Sequence, residues 1–209
     1  RRIHHCEMTK QTAHCPLTLI TGGIGSGKSV VSRICRLRGY EVYDTDYEAK
    51  RIMNYDAKIR HAITSRWGSA AVFPDGSLNR KHIASVIFAD DQERLWLNAL
   101  VHSAVRKELE ARISLRSQRM FVECAIPVTS HIVDYCDRVW LVDAPVEMRI
   151  SRCMKRDGGS AAQIEARIQS QQHEFEALPR DITDVIANDG SQPVCSRVAQ
   201  LLAQCRQPE

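Results

Sequence analysis

Apolar and polar positions alternate along this chain in three regimes. Leu17 to Thr21 is a short apolar, β-branched run that stops at glycines, the pattern of a fully buried strand feeding a tight turn. A helical period follows from about Lys28 to Arg38, with Gly39 placed as its C-terminal cap, and Tyr40 to Tyr43 reads as a second strand ending at Asp44, Thr45 and Asp46. From Tyr47 to about Gln118 the strand signals vanish and the helical period takes over, broken between Trp67 and Asn79 where Pro74, Asp75 and Gly76 mark a turn. In the longest helix Leu97, Leu100, Val101, Ala104, Val105 and Leu109 recur every third or fourth place, one buried stripe under a charged exterior. Strand-length apolar runs return at Met120 to Glu123 and Arg138 to Val142, which places them in the centre of a parallel sheet. Helices are predicted at about 145–156, 160–178 and 193–205, with a short strand near Val185 and Ile186. No period of 20 to 50 residues repeats, which excludes a solenoid.

Composition narrows the class. At 209 residues with 44% apolar side chains the chain can bury one α/β core with an insertion, and it is too short for two full-sized domains. A net charge of +4 is a mild excess, so any phosphate site must be local and binding to nucleic acid is not expected. The eight cysteines form no C-x-x-C pair and no zinc-like spacing; they read as reduced thiols of a cytoplasmic protein, several of them at core positions. No run approaches the roughly 18 apolar residues of a membrane-spanning helix. The polar stretch 1–16, rich in His and Cys and not beginning with Met, reads as an extension or tag remnant.

Gly22, Gly27, Lys28 and Ser29 fit G-x-x-x-x-G-K-S/T, directly after a strand and opening a helix. In such a segment the glycines let successive N–H groups point into one concavity, and the helix N-terminus adds partial positive charge. The segment Gly22, Gly23, Ile24, Gly25, Ser26, Gly27, Lys28, Ser29 and Val30 is therefore expected to bind ATP. Lys28 would meet the β and γ phosphates, and the Ser29 hydroxyl would complete the shell of a Mg²⁺ ion. The expected architecture is the α/β P-loop NTPase fold, a parallel sheet of about five strands flanked by helices. Its core is assigned to 17–46 and 119–205, with a helical lid at about 145–178 and a helical insertion at 47–118.

Two further groupings bear on chemistry. Asp44 and Asp46, read as the end of a second strand lying beside the first, would face the γ-phosphate, where a carboxylate can accept a proton from an attacking hydroxyl or hold a metal-bound water. An Asp there can equally cap the next helix. Arg149, Arg152 and Arg156 lie at i, i+3 and i+7 with Val146, Ile150, Cys153 and Met154 as an adjoining apolar stripe, and this suits a cationic lid followed by a flexible Gly158 and Gly159.

Taken together, these residues resemble the dephospho-CoA kinase family. The resemblance runs from Leu17 to about Gly190, through LTLITGGIGSGKS, YDTD, FPDGSLNR, WLNALVHSAV, VDAPVEMRISRCMKRD, ARIQSQ and TDVIANDG. It implies phosphorylation of the ribose 3′-hydroxyl of dephospho-CoA by ATP, the last step of coenzyme A biosynthesis, with ATP and dephospho-CoA as partners. It also implies that Asp46 is the base, that Lys28 and Arg152 are charges on the transferring phosphate, that Asn188 lies near the adenine of ATP, and that His102 falls in an insertion, 47–118, that binds the acceptor. The place of Arg156 on the basic row assigns it to ATP, and Asp44, beside Asp46, is assigned with it to the acceptor side. The chain departs from the family's pattern at three places. Val30 replaces a threonine, Ser103 a proline, and ECAIPVTSH carries Thr129 where a glutamate is customary.

One enzyme alternative and one non-catalytic class share these residues. A P-loop kinase for a nucleoside or nucleoside monophosphate would share the loop, and a non-catalytic ATP-binding relative would too. A GTPase switch is excluded by the missing N-K-x-D and D-x-x-G motifs.

Overall fold

The computed structural model describes residues 16–204. Cys6, Cys15, Cys205 and nearly all of the expected 1–16 extension lie outside them. In chain order the elements are β1 (Leu17–Thr21), α1 (Lys28–Leu37), β2 (Glu41–Asp44), α2 (Thr45–Tyr55), α3 (Ala57–Trp67), α4 (Arg80–Ala89) and α5 (Asp91–Leu115). There follow β3 (Met120–Glu123), β4 (Arg138–Asp143), α6 (Val146–Asp157), α7 (Ala161–Ser170), α8 (Gln172–Glu176), β5 (Thr183–Ala187) and α9 (Val194–Gln204).

The five strands are all parallel, in the order β2-β3-β1-β4-β5. This corrects one expectation: β2 does not lie beside β1, because β3 is inserted between them. The register then sets Asp44 against Glu123, and Glu123 against Ile20, so three strand ends meet next to the turn that follows β1. Connections diverge to the two sides of β1, which makes its carboxyl end the place where a crevice opens.

Both faces of the sheet centre are covered, so β1 and β3 show no polar face. Leu17, Leu19, Tyr43, Met120, Val122 and Val139 point to a layer containing α2 and α5; Ile20, Phe121, Trp140, Val142 and Ile186 point to α1 and α9. Phe121 and Trp140 pack at 5.0 Å between ring centroids. Gly39 follows α1 at φ 85°, and its N–H bonds Arg36 O, as the C-terminal signal predicted.

The predicted stripe on the long helix is real. Leu97, Val101, Val105 and Leu109 are buried on α5 at intervals of four, with Leu100 and Ala104 half-buried beside them. The Tyr43 hydroxyl donates to Val105 O at 3.3 Å and fastens this helix to β2. One helical expectation changes: the span 160–178 divides into α7 and α8 at Gln171. The turn expected at Pro74–Gly76 is present, closed by an antiparallel bridge from Val72 to Leu78.

Leu109 is fully buried in this layer. Leu109→Ala is expected to cost about 2–5 kcal/mol in a denaturant melt; a loss below about 1 kcal/mol would show that the α5 stripe is not a packed interface.

Candidate active site

The segment between β1 and α1 is a backbone ring whose carbonyls all have donors. Gly22 O accepts from Lys28 Nζ at 2.7 Å, Gly23 O from Ser26 N at 3.1 Å, and Ile24 O from Arg149 Nε at 2.9 Å. Gly25 O accepts from Arg152 Nη1 at 3.3 Å, Ser26 O from Asn188 Nδ2 at 2.8 Å, and Gly27 O from Val30 N at 3.0 Å. The N–H groups of Gly25, Gly27, Lys28 and Ser29 have no acceptor among the described residues. Peptide donors left over at a helix N-terminus are what an anion needs.

Glycine is required where this ring is tightest. Gly22 has φ 148°, and a Cβ there would stand 2.2 Å from Val142 O; Gly27 has φ 103°, and a Cβ would stand 2.1 Å from Asn188 Nδ2.

Above the ring lies an open cleft of about 350 Å³. Ile24, Gly25, Gly27, Lys28 and Ser29 form its floor, Asp46 comes from α2, and Glu123 and Ala125 come from the end of β3. Arg152 and Arg156 of α6, Arg167 of α7 and Gln171 close the remaining side. Gln171 also accepts the Ile24 N–H through Oε1 at 2.9 Å. Burial pulls the Lys28 ammonium below its ordinary pKa, opposed first by the attraction of Glu123 and then by that of Asp46. Burial pushes the Glu123 carboxyl up, opposed first by the neighbouring Ser32 hydroxyl; Asp44 adds to the rise and Lys28 opposes it.

The acidic pair divides. Asp46 does not end β2; it lies in the first turn of α2 and faces the cleft. Asp44 is the N-cap of that helix, its Oδ1 accepting from Asp46 N at 3.1 Å and Tyr47 N at 3.0 Å. It does not line the cleft but supports the turn that presents Asp46.

The basic row divides as well. Arg152 and Arg156 line the cleft, whereas Arg149 is 8% exposed and packs beneath the loop against Ile24 and Gly23. Of the expected apolar stripe, Cys153 is buried and Ile150 half-buried, but Val146 and Met154 are exposed. The buried face of α6 is therefore Arg149 and Cys153, not the row inferred from the period.

Asn188 stands behind the loop: its N–H donates to Asp143 O at 2.7 Å, its side chain holds Ser26 O, and its carbonyl accepts from Arg152 Nη2 at 2.9 Å. Gly22, Gly23 and Ser26 likewise form the structure of the ring rather than the cleft lining, and Val30 is exposed on α1. His102, half-buried on α5, is not among the residues that line the cleft; its pKa is lowered by burial and by Arg106. Glu123, Arg167 and Gln171 were not singled out from sequence. The signal for Glu123 was its place as the last residue of a central parallel strand, and the other two fall in the ARIQSQ stretch.

The family model described as dephospho-CoA kinase matches residues 17–193. The dephospho-CoA kinase of Bacteroides fragilis (strain YCH46) is 36% identical over 186 residues, covering 88% of this chain and 90% of its own. That of Porphyromonas gingivalis is 40% identical over 156 residues, covering 74% of this chain and 77% of its own. The crystal structure of TT1252 from Thermus thermophilus matches with a TM-score of 0.76 at 32% identity, covering 93% of this chain and 100% of that one.

Glu123 gives a pH test of the cleft. Because its folded pKa is raised, its contribution to stability is full below the ordinary glutamate value of roughly 4.3 and is lost as pH rises through the folded value. At neutral pH the ionised side chain therefore costs stability. Glu123→Gln is expected to raise the thermal midpoint of the ligand-free protein at pH 8 and to give no gain near pH 4; an equal gain at both would contradict this environment for the carboxyl.

Proposed function

The chain belongs to the dephospho-CoA kinase family, and from that premise we propose how its residues move a phosphoryl group from ATP to the ribose 3′-hydroxyl of dephospho-CoA. The enzyme is an ATP-dependent kinase that phosphorylates dephospho-CoA in coenzyme A biosynthesis. The observation that carries the residue roles is that Lys28, Ser29, Asp46 and Arg152 line a single cleft over free backbone N–H groups.

In this reading the β-phosphate sits in the ring, held by the N–H groups of Gly25, Gly27, Lys28 and Ser29. Lys28 leaves its resting carbonyl at Gly22 for the β and γ oxygens. Arg152, Arg156 and Arg167 offset the charge that spreads over the transferring group. The acceptor oxygen attacks the γ-phosphorus in line as the bond to the β-γ bridging oxygen breaks. Its proton passes to Asp46, and ADP leaves carrying the bridging oxygen.

Mg²⁺ fits the donors present. Ser29 offers a hydroxyl and Asp46 and Glu123 two carboxylates on the same cleft, the hard oxygen set that Mg²⁺ shares with nucleotide phosphates. When bound, the ion neutralises charge on the β and γ oxygens.

We place the reaction in the cytoplasm. Cys35, Cys124, Cys136, Cys153 and Cys195 are free thiols, which supports a reducing compartment. No helix of the described residues is long and apolar enough to cross a membrane.

The test is ADP release with ATP and Mg²⁺, comparing dephospho-CoA with adenosine and nucleoside monophosphates as acceptors. ADP release is expected with dephospho-CoA alone. Asp46→Asn is expected to lower kcat by about 10²–10⁴-fold while the KM for ATP stays close to that of the parent. A variant that turned over at the parent rate would remove Asp46 from the proton transfer.

A further inference from the structure

Glu174 is the one carboxylate of the described residues that is 0% exposed, and the phosphoryl transfer derived above does not use it. It lies on α8, three residues after Gln171. Its Oε2 accepts the N–H of Val128 at 2.8 Å and that of Thr129 at 3.2 Å, and Oε1 lies 3.3 Å from the Thr129 N–H and 3.3 Å from His173 Nε2. A carboxylate removed from water is tolerated when donors replace its hydration, and two backbone amides with an imidazole nitrogen nearby meet that need.

The amides belong to a tight turn, where Ser130 N bonds Ile126 O, His131 N bonds Val128 O and Ile132 N bonds Pro127 O. Val128 and Thr129 present the N–H end of this turn to Glu174. At its carbonyl end Arg106 of α5 donates to Ser130 O at 2.9 Å. A negative group thus holds the donor end and a positive group the acceptor end, the polarity a helical turn prefers. The turn closes at His131, whose φ of 59° is the only positive value outside glycine among the described residues. It continues directly from Ala125 and Glu123, which form a wall of the cleft. It also contains Thr129, where the sequence departs from the family's usual glutamate.

The segment that carries Glu174 touches the nucleotide side as well, because Gln171 Oε1 holds the Ile24 N–H. We propose that Glu174 is a positioning residue for the acceptor. Its buried carboxylate clamps the 126–131 turn to the α7–α8 corner and so sets the wall at Ala125 relative to the phosphate loop. The inference rests on the kinase reading. It assigns to Glu174 an effect on dephospho-CoA that is separate from the effect on ATP.

The test is steady-state kinetics with each substrate varied in turn. Glu174→Ala leaves two buried amides without an acceptor and is expected to raise the KM for dephospho-CoA about tenfold, with the KM for ATP changed less than about twofold. Glu174→Gln keeps one acceptor oxygen and is expected to recover part of that loss. Arg106→Gln releases the same turn from its other end and is expected to shift KM in the same direction by about threefold or more. If Glu174→Ala does not fold, as read by circular dichroism, the Arg106 variant carries the comparison.

Equal effects on both substrates, or none, in a folded variant would overturn the proposal, as would Glu174→Gln being no better than Glu174→Ala. A parent enzyme that releases no ADP with dephospho-CoA would instead refute the kinase reading itself.

Discussion

An anion cradle made of peptide groups works only if its carbonyl oxygens are turned away and kept there. Each peptide carries a donor and an acceptor, and a free carbonyl among the N–H groups would repel the phosphate they are meant to hold. Here each carbonyl from Gly22 to Gly27 has a donor. Three of those donors, on Arg149, Arg152 and Asn188, come from more than a hundred residues further along the chain. The loop is thus held from behind by α6 and by the end of β5, and its N–H groups are left facing the cleft. Gln171 adds a further hold by accepting the Ile24 N–H.

The same sheet edge supplies the acids. Because β3 runs between β2 and β1, Glu123 stands beside both Asp44 and the last residues of β1. Asp44 spends its carboxylate on the first amides of α2, and this fixes the turn from which Asp46 reaches the cleft. The cleft therefore sets Asp46 and Glu123 against Lys28 and three arginines. Burial weakens the charge of Lys28 and resists the charge of Glu123, so both groups gain when a phosphate or a cation enters.

The loop was legible because its chemistry is local: glycines, one lysine and one serine at fixed spacing between a strand and a helix. The α5 stripe was legible for the same reason, since a period needs no partner to be seen. Strand order was not, because pairing is set by contacts distant in sequence, and two strands joined by a helix need not be neighbours. The basic row of α6 shows another limit. Arg149 and Arg156 share a face by angle, but seven residues separate them by roughly 10 Å along the axis. One end of the helix meets the loop and the other meets the open cleft, and periodicity carries no such axial information. Glu174 carried no signal at all, since a glutamate in a polar helical stretch reads as solvated until the amides of a distant turn are found around it.

The central claim is that the loop is already built for phosphate before any nucleotide arrives. A crystal structure with a non-hydrolysable ATP analogue and Mg²⁺ tests it most directly. The account predicts a β-phosphate bound by the N–H groups of Gly25, Gly27, Lys28 and Ser29, the Asp46 carboxylate facing the γ-phosphate, and loop backbone shifts of no more than about 1 Å. A nucleotide bound with the loop rebuilt, the Arg149 and Asn188 bonds broken, or Asp46 turned away from the γ-phosphate would contradict it.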